Sequence, residues 1–185
     1  LMPTIRSRCR SLKCNNLSSE DLENALEQLD IEQSQDKEQI NILANGSVGS
    51  SVELISNNGI EIYNSIVQLA KQIPQMNRQS IQKLADSCAG KNAAERYEIT
   101  LRLFMLFISR LAKFGALQKN ENHTALSIES NVFHELAPDT KSARKWADFS
   151  QIISERTSHA RAVNLDPSMV IIDMLLQFEE TSKKH

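Results

Sequence analysis

The sequence reads as all-α, on three grounds. Apolar residues recur at helical spacing along most of the chain after Lys13. Ala, Leu, Glu, Gln, Lys and Arg, which lose little on entering a helix, are plentiful. Only 5 Gly and 4 Pro occur among 185 residues, too few for a turn-rich sandwich of short strands. A chain of this length builds one bundle or two small packed units. Three segments are expected, over residues 1–14, 15–57 and 58–185.

Residues 1–14 read as the tail of a preceding domain, with Ser11, Leu12 and Lys13 extended. Leu1 precedes Met2, and Met2-Pro3-Thr4-Ile5 resembles the interior of a longer protein, so an upstream portion is expected. Ser18 then offers a hydroxyl N-cap with Asp21 three residues on, nearly a capping box. Leu22, Ala25, Leu26 and Leu29 follow as one apolar stripe. A second short helix carries Ile40, Leu43 and Ala44 and stops at Asn45-Gly46, where glycine can take the left-handed conformation. A third begins near Ser47 and places Val48, Val52 and Ile55 on one side. Three short amphipathic helices in succession predict a small bundle.

Asn57-Asn58-Gly59 punctuates the chain, and longer helices follow. Ile62, Ile66, Leu69 and Ile73 mark one that ends at or before Pro74. Ile81, Leu84, Ala85 and Cys88 mark the next, closed by Gly90. Asn92 with Glu95 starts another, whose stretch YEITLRLFMLFISRLAKF is apolar on nearly all sides and predicts a buried central helix. Gln118 to Asp139 is polar and weakly patterned, a loop with a single helical turn at most. Trp146, Phe149, Ile153, Ala160 and Val163 stripe a long helix after it. Asp166-Pro167 opens the last helix, with an Asp cap and a Pro where no amide partner is needed. Val170, Ile171, Met174, Leu175 and Phe178 line it.

Composition narrows the function classes. A formal net charge of -2 gives no overall basic field to draw the chain to nucleic acid or anionic lipid. Cys9, Cys14 and Cys88 form neither a disulfide framework nor a paired zinc-ligand pattern, which fits a reduced, cytoplasmic chain. Asn45-Gly46-Ser47 and Asn122-His123-Thr124 match the glycosylation acceptor pattern, which arises readily by chance. The greasiest run, Leu103 to Ile108, is far shorter than a membrane span, and no secretory signal is visible.

Little in the chain suits catalysis. His123, His134, His159 and His185 are scattered, and none pairs with a carboxylate at metal-ligand spacing, so no metal is expected. Glu20, Asp21 and Glu23 read as a solvated first turn favoured by the helix dipole. Cys88 ends an apolar stripe and reads as a small core residue. No phosphate-binding glycine loop is present, so no nucleotide cofactor is expected. Trp146 and the phenylalanines read as core stripes rather than a stacking platform for bases. Arg6, Arg8 and Arg10, by composition alone, are alternating charges on an extended, solvated edge.

The opening stretch carries more than composition. Ser7-Arg8-Cys9, preceded by Thr4-Ile5-Arg6, resembles the serine-arginine-cysteine motif of the clamp-loader AAA+ subunits of bacterial DNA polymerase III. The resemblance implies that Arg8 projects in trans into a neighbouring subunit's ATP site, where a planar guanidinium can contact the γ-phosphate. LSSEDLENAL is similar to the start of the family's three-helix lid, and Gly46, Ser47 and Gly49 fall where a sensor-2 helix is expected. ATP-binding members carry Arg or Lys near Gly49; this stretch has neither, which implies a degenerate site and the non-hydrolysing delta-prime branch. The ending SHARAVNLDPSMVIIDMLLQF is similar to the carboxyl termini of that branch.

The resemblance thus implies a domain tail at 1–14, a lid at 15–57 and a helical collar at 58–185. It implies partnership with gamma/tau and delta subunits in a pentamer that loads the sliding clamp on primed DNA during replication, with no membrane involved. A gamma/tau-type fragment and a helical scaffold or adaptor unrelated to ATP are the rival readings.

Overall fold

A computed structural model of the chain describes residue 8 and residues 15–31, 36–90, 93–117 and 126–183. Ser7, Cys9, Cys14, Asn92, the Asn122-His123-Thr124 match and His185 lie outside the described residues. Local capping chemistry sets most helix starts. Helix α1 (Ser19–Glu27) begins at Ser18, whose hydroxyl accepts the Asp21 amide at 3.1 Å and donates to its carboxylate at 2.7 Å. Helix α2 (Lys37–Ala44) ends where Asn45 turns left-handed, and α3 (Val48–Ser56) starts at Ser47, whose hydroxyl accepts the Ser50 amide. Helices α4 (Gly59–Ala70) and α5 (Arg78–Asp86) follow, the second capped by Asn77. Next come α6 (Ala94–Leu117), α7 (Ser130–Leu136), α8 (Thr140–Ala162) and α9 (Pro167–Lys183). Asp139 and Ser142 close a capping box on α8, and Asp166 accepts the Ser168 amide at 2.9 Å to open α9. Among the described residues there is no strand, and the chain is an all-α, multi-helix bundle.

Helix α6 is the axis of this bundle, as its all-round apolar pattern predicts. It runs along α8 and also packs on α4 and α7, while α9 crosses onto α5 and α8. Phe178 of α9 sits at the aromatic centre, with ring centroids 5.0 Å from Trp146, 5.7 Å from Phe104 and 5.9 Å from Phe107. The Trp146 indole is fully buried and donates to the Leu136 carbonyl at 2.7 Å, which joins α8 to the end of α7. One contiguous core runs from Leu43 in α2 to Phe178 in α9. No described helix is long and apolar enough to cross a membrane.

Several details depart from the periodic reading. Leu29 is exposed because α1 stops at Glu27 and the chain reverses through Asp30 at φ 52°. Val163 is exposed for the same reason, lying one residue past α8. Ile73 falls beyond the end of α4, whose buried face gains Tyr63 and Val67 instead. In α3 the buried residues are Ser51 and Leu54, whereas Val48, Val52 and Ile55 are half-buried. Leu54 fits beneath Gly59, where a Cβ would stand 2.6 Å from its side chain. Ser51 tolerates burial because its hydroxyl donates to the Ser47 carbonyl at 3.1 Å. The weakly patterned stretch before Asp139 contains α7, a full helix whose Val132, Phe133 and Leu136 are buried.

Glu179 ties α5 to α9. Its carboxylate, almost fully buried, receives Arg78 through both terminal nitrogens at 2.7 and 3.2 Å and Lys183 at 2.7 Å. Burial alone would raise its pKa, but the hydrogen bonds and charges of Lys183 and Arg78 outweigh it and hold the pKa below the usual value. A depressed folded pKa contributes stability that is complete above the unfolded pKa and lost as pH falls through the folded one. Urea unfolding of the wild type and Glu179→Gln across pH should therefore show the largest gap near neutrality. The gap should begin to narrow near about pH 4, where an unperturbed carboxylate protonates, and close as pH falls further through the depressed folded pKa. A gap independent of pH would remove Glu179's charge from the account.

Candidate functional site

Arg8 is exposed in a turn ahead of α1 and forms no ion pair among the described residues. Its motif partners Ser7 and Cys9 lie outside them. The other predicted residues, Gly46, Ser47 and Gly49, gather at the α2–α3 turn. Gly46 adopts φ +72°, and its carbonyl accepts the Leu17 amide at 3.0 Å. A Cβ there would stand 2.5 Å from the Leu17 carbonyl oxygen, so only glycine lets the turn sit against the segment entering α1. Ser47 caps α3, and Gly49 lies on the exposed side of its first turn with open space around it.

A polar cleft of about 430 Å³ opens at this junction, lined by Asn16, Ser18, Asn41, Asn45, Gly46 and Arg110 among others. Arg110 comes from α6, more than sixty residues away in sequence, and is the cation that sequence reasoning missed beside Gly46. Its charge is already engaged. The guanidinium donates from Nε to Glu129 Oε1 at 2.9 Å and from Nη2 to Oε2 at 2.7 Å, a bidentate clasp. Glu129 has no exposure, and its Oε2 also accepts the Leu126 amide at 2.9 Å. The Tyr63 hydroxyl donates to Oε1, which brings α4 into the same cluster.

The electrostatics keep each member in one state. Burial, then the charge and hydrogen bond of Glu129, push the Tyr63 phenol far above its ordinary range, so it stays neutral and donates. Burial works against the charge on Arg110, but the hydrogen bond and attraction of Glu129 overcome it and raise its pKa. The cluster therefore anchors α4, α6 and the start of α7, and leaves the cleft beside Gly46 without a guanidinium free of an internal carboxylate. No sequence pattern marks it: Glu129 sits in the weakly patterned stretch, and its partners are 19 and 66 residues away.

The remaining candidates are structural. Cys88 is buried, with its thiol 3.4 Å from the Thr100 hydroxyl. His159 is exposed, and His134 stacks edge-on against Phe114 at the surface. Among the described residues no group of three or more His, Cys, Asp or Glu side chains is placed to hold a metal. Asn45 of the first glycosylation match is the left-handed cap of α2. No family profile, curated protein or solved structure matches the chain.

Glu129→Gln should cost about 3–5 kcal/mol in urea unfolding, because it leaves the Arg110 charge in a mostly buried site without its counter-charge. The pair Glu129→Leu with Arg110→Met should recover much of that loss, since removing both charges also removes their desolvation penalty. A mild single effect would mean that the pair is not a structural anchor. Gly46→Ala should lose about 2–3 kcal/mol from the left-handed backbone and the clash with Leu17. A melting temperature equal to the wild type's would refute the close packing of this turn.

Proposed function

We propose that the chain is the C-terminal portion of a non-hydrolysing clamp-loader subunit of the delta-prime type. In this reading residues 1–14 end the nucleotide-binding domain, α1 to α3 form the lid, and α4 to α9 form the collar. The chain is an accessory part of a DNA polymerase holoenzyme and not itself an enzyme. It acts in the cytoplasm, assembling with gamma/tau and delta subunits into the pentamer that places the sliding clamp on primed DNA.

One observation carries the proposal: the Ser7-Arg8-Cys9 stretch stands directly ahead of three short helices, with Arg8 exposed and unpaired by any described carboxylate. A guanidinium in that condition is available to a phosphate on a neighbour. The α2–α3 junction supports the non-hydrolysing assignment. Helix α3 carries no Lys or Arg, and Arg110, which lines the same cleft as Gly46, is clasped by Glu129. The rival reading, a scaffold unrelated to ATP, is favoured by a different feature. Val163, Leu165 and Met169 are all more than half exposed around the α8–α9 turn.

Arg8→Ala, in the protein assembled with its ATPase partners, separates the two. The pentamer should form normally while hydrolysis at one neighbouring site slows, by up to ~10³-fold, because the lost charge acts mainly in the transition state. The steady-state loss should be smaller, since the other sites retain their own arginines. Arg8→Lys should rescue little, for an ammonium lacks the planar fork. Arg6→Ala and Arg10→Ala should be milder. Unchanged hydrolysis and clamp loading by Arg8→Ala would leave the scaffold reading ahead.

A further inference from the structure

The first turns of α8 carry a charge pattern that the helix itself opposes. Lys141, Arg144 and Lys145 stand three and four residues apart, so they share one face. Like charges at that spacing repel, and cations near a helix N-terminus meet the positive end of its dipole. No acidic residue occupies the first turn. Asp139 attracts Lys141, but its carboxylate is engaged in the cap, accepting the Ser142 amide at 2.7 Å. Lys141 and Arg144 are exposed and form no ion pair among the described residues. Lys145 is half-buried with its ammonium 5.1 Å from the centre of the Trp146 ring. Burial lowers its pKa; Asp139 pulls against that shift and Lys141 adds to it.

These cations rim a recess of about 340 Å³ whose interior is mostly apolar. Phe149, itself buried, and Ile152, 50% exposed, come from α8, and Thr181 comes from α9. Asp148 is the one carboxylate in the lining. Ile152 is thus half exposed beside Lys141 and Arg144, two cations that form no ion pair among the described residues.

We propose that this face of α8 docks an acidic segment of a partner protein, which presses one apolar side chain against Ile152 while its carboxylates meet Lys141 and Arg144. Charge complementarity selects the partner's sign. The recess selects a peptide over a nucleic acid. Surfaces that track a phosphate backbone combine cations with exposed rings on which bases stack. Here the nearby rings, Trp146 and Phe149, are 0% and 2% exposed, and the accessible apolar group is aliphatic. An acidic peptide supplies several carboxylates and an aliphatic or aromatic anchor in one short segment. The site lies on α8, and the argument for it owes nothing to the reading of Arg8.

The probe is a dye-labelled synthetic peptide rich in Asp and Glu with one central phenylalanine, titrated with the full chain and followed by fluorescence anisotropy. Binding should be micromolar and should weaken as salt is added. Lys141→Glu with Arg144→Glu should raise Kd by at least about tenfold, and Ile152→Ser by about fivefold. Replacing the peptide's phenylalanine with serine should weaken wild-type binding by about fivefold as well. That replacement should add little in Ile152→Ser, because both changes remove the same contact. The peptide replacement also decides the matter if a protein variant misfolds. Arg8→Ala should bind like the wild type, which keeps this outcome separate from the clamp-loader proposal. Absence of binding, equal affinity for the serine peptide, or displacement by a single-stranded oligonucleotide at lower concentration than the unlabelled peptide would overturn the proposal.

Discussion

A carboxylate without solvent contact holds this bundle in register. Glu129 costs several kcal/mol to desolvate, and only a well-placed set of donors makes its burial tolerable. Arg110, Tyr63 and the Leu126 amide are those donors, each from a different part of the chain. Apolar packing alone is non-directional, and a helix as evenly apolar as α6 could rotate or slide among neighbours at modest cost. The cluster removes that freedom, because any rotation of α6 would separate Arg110 from Glu129 and expose the full penalty of an unpaired buried charge. The same clasp holds Arg110 where it lines the cleft that Gly46 also lines.

What was legible in the sequence was local. Ser18, Ser47 and Asp166 act on amides two or three residues away, so these helix starts are written in adjacent letters. Asp139 caps α8 by the same chemistry, yet the sequence reads there as the end of a loop. The left-handed turn at Asn45-Gly46 is local in the same sense. The apolar stripes identified most of the buried residues, but they overran helix ends at Leu29 and Val163, where periodicity continues and the backbone does not. Phase also misled in α3: counting apolar residues favoured Val48, Val52 and Ile55, and close contact with Gly59 drew Leu54 inward instead. Glu129 was out of reach. Nothing near it in sequence distinguishes it from an exposed glutamate, since its side-chain partners lie on α4 and α6 and only the Leu126 amide is local.

The candidate site was legible in a different degree. Arg8 could be singled out by its neighbours Ser7 and Cys9, and the structure adds its exposure. Gly46 and Ser47 could be placed at a helix junction, and the structure assigns each a conformational task there. The basic face of α8 was passed over because Lys141, Arg144 and Lys145 look like ordinary surface charges. Their interest arises only when the recess beside Ile152 is seen together with Lys141 and Arg144, which form no ion pair among the described residues.

The arginines sort these observations into one scheme. Of the eight described arginines, five are committed to carboxylates: Arg78, Arg102, Arg110, Arg156 and Arg161. Arg96 donates to the Ser87 hydroxyl. A guanidinium already forked onto a carboxylate has its strongest donors occupied, and an external anion must compete for them. Arg8 and Arg144 have no such partner among the described residues. They lie in different settings, one in a turn before the first helix and the other on the eighth helix beside an apolar recess. A bare arginine ahead of a helical bundle suits a compact anion offered by a neighbour, whose phosphate oxygens need no apolar contact. An arginine next to an aliphatic recess suits an anion that carries a side chain with it. The two proposals thus ask the same side chain to meet two kinds of anion, a phosphate at Arg8 and a carboxylate beside an apolar anchor at Arg144.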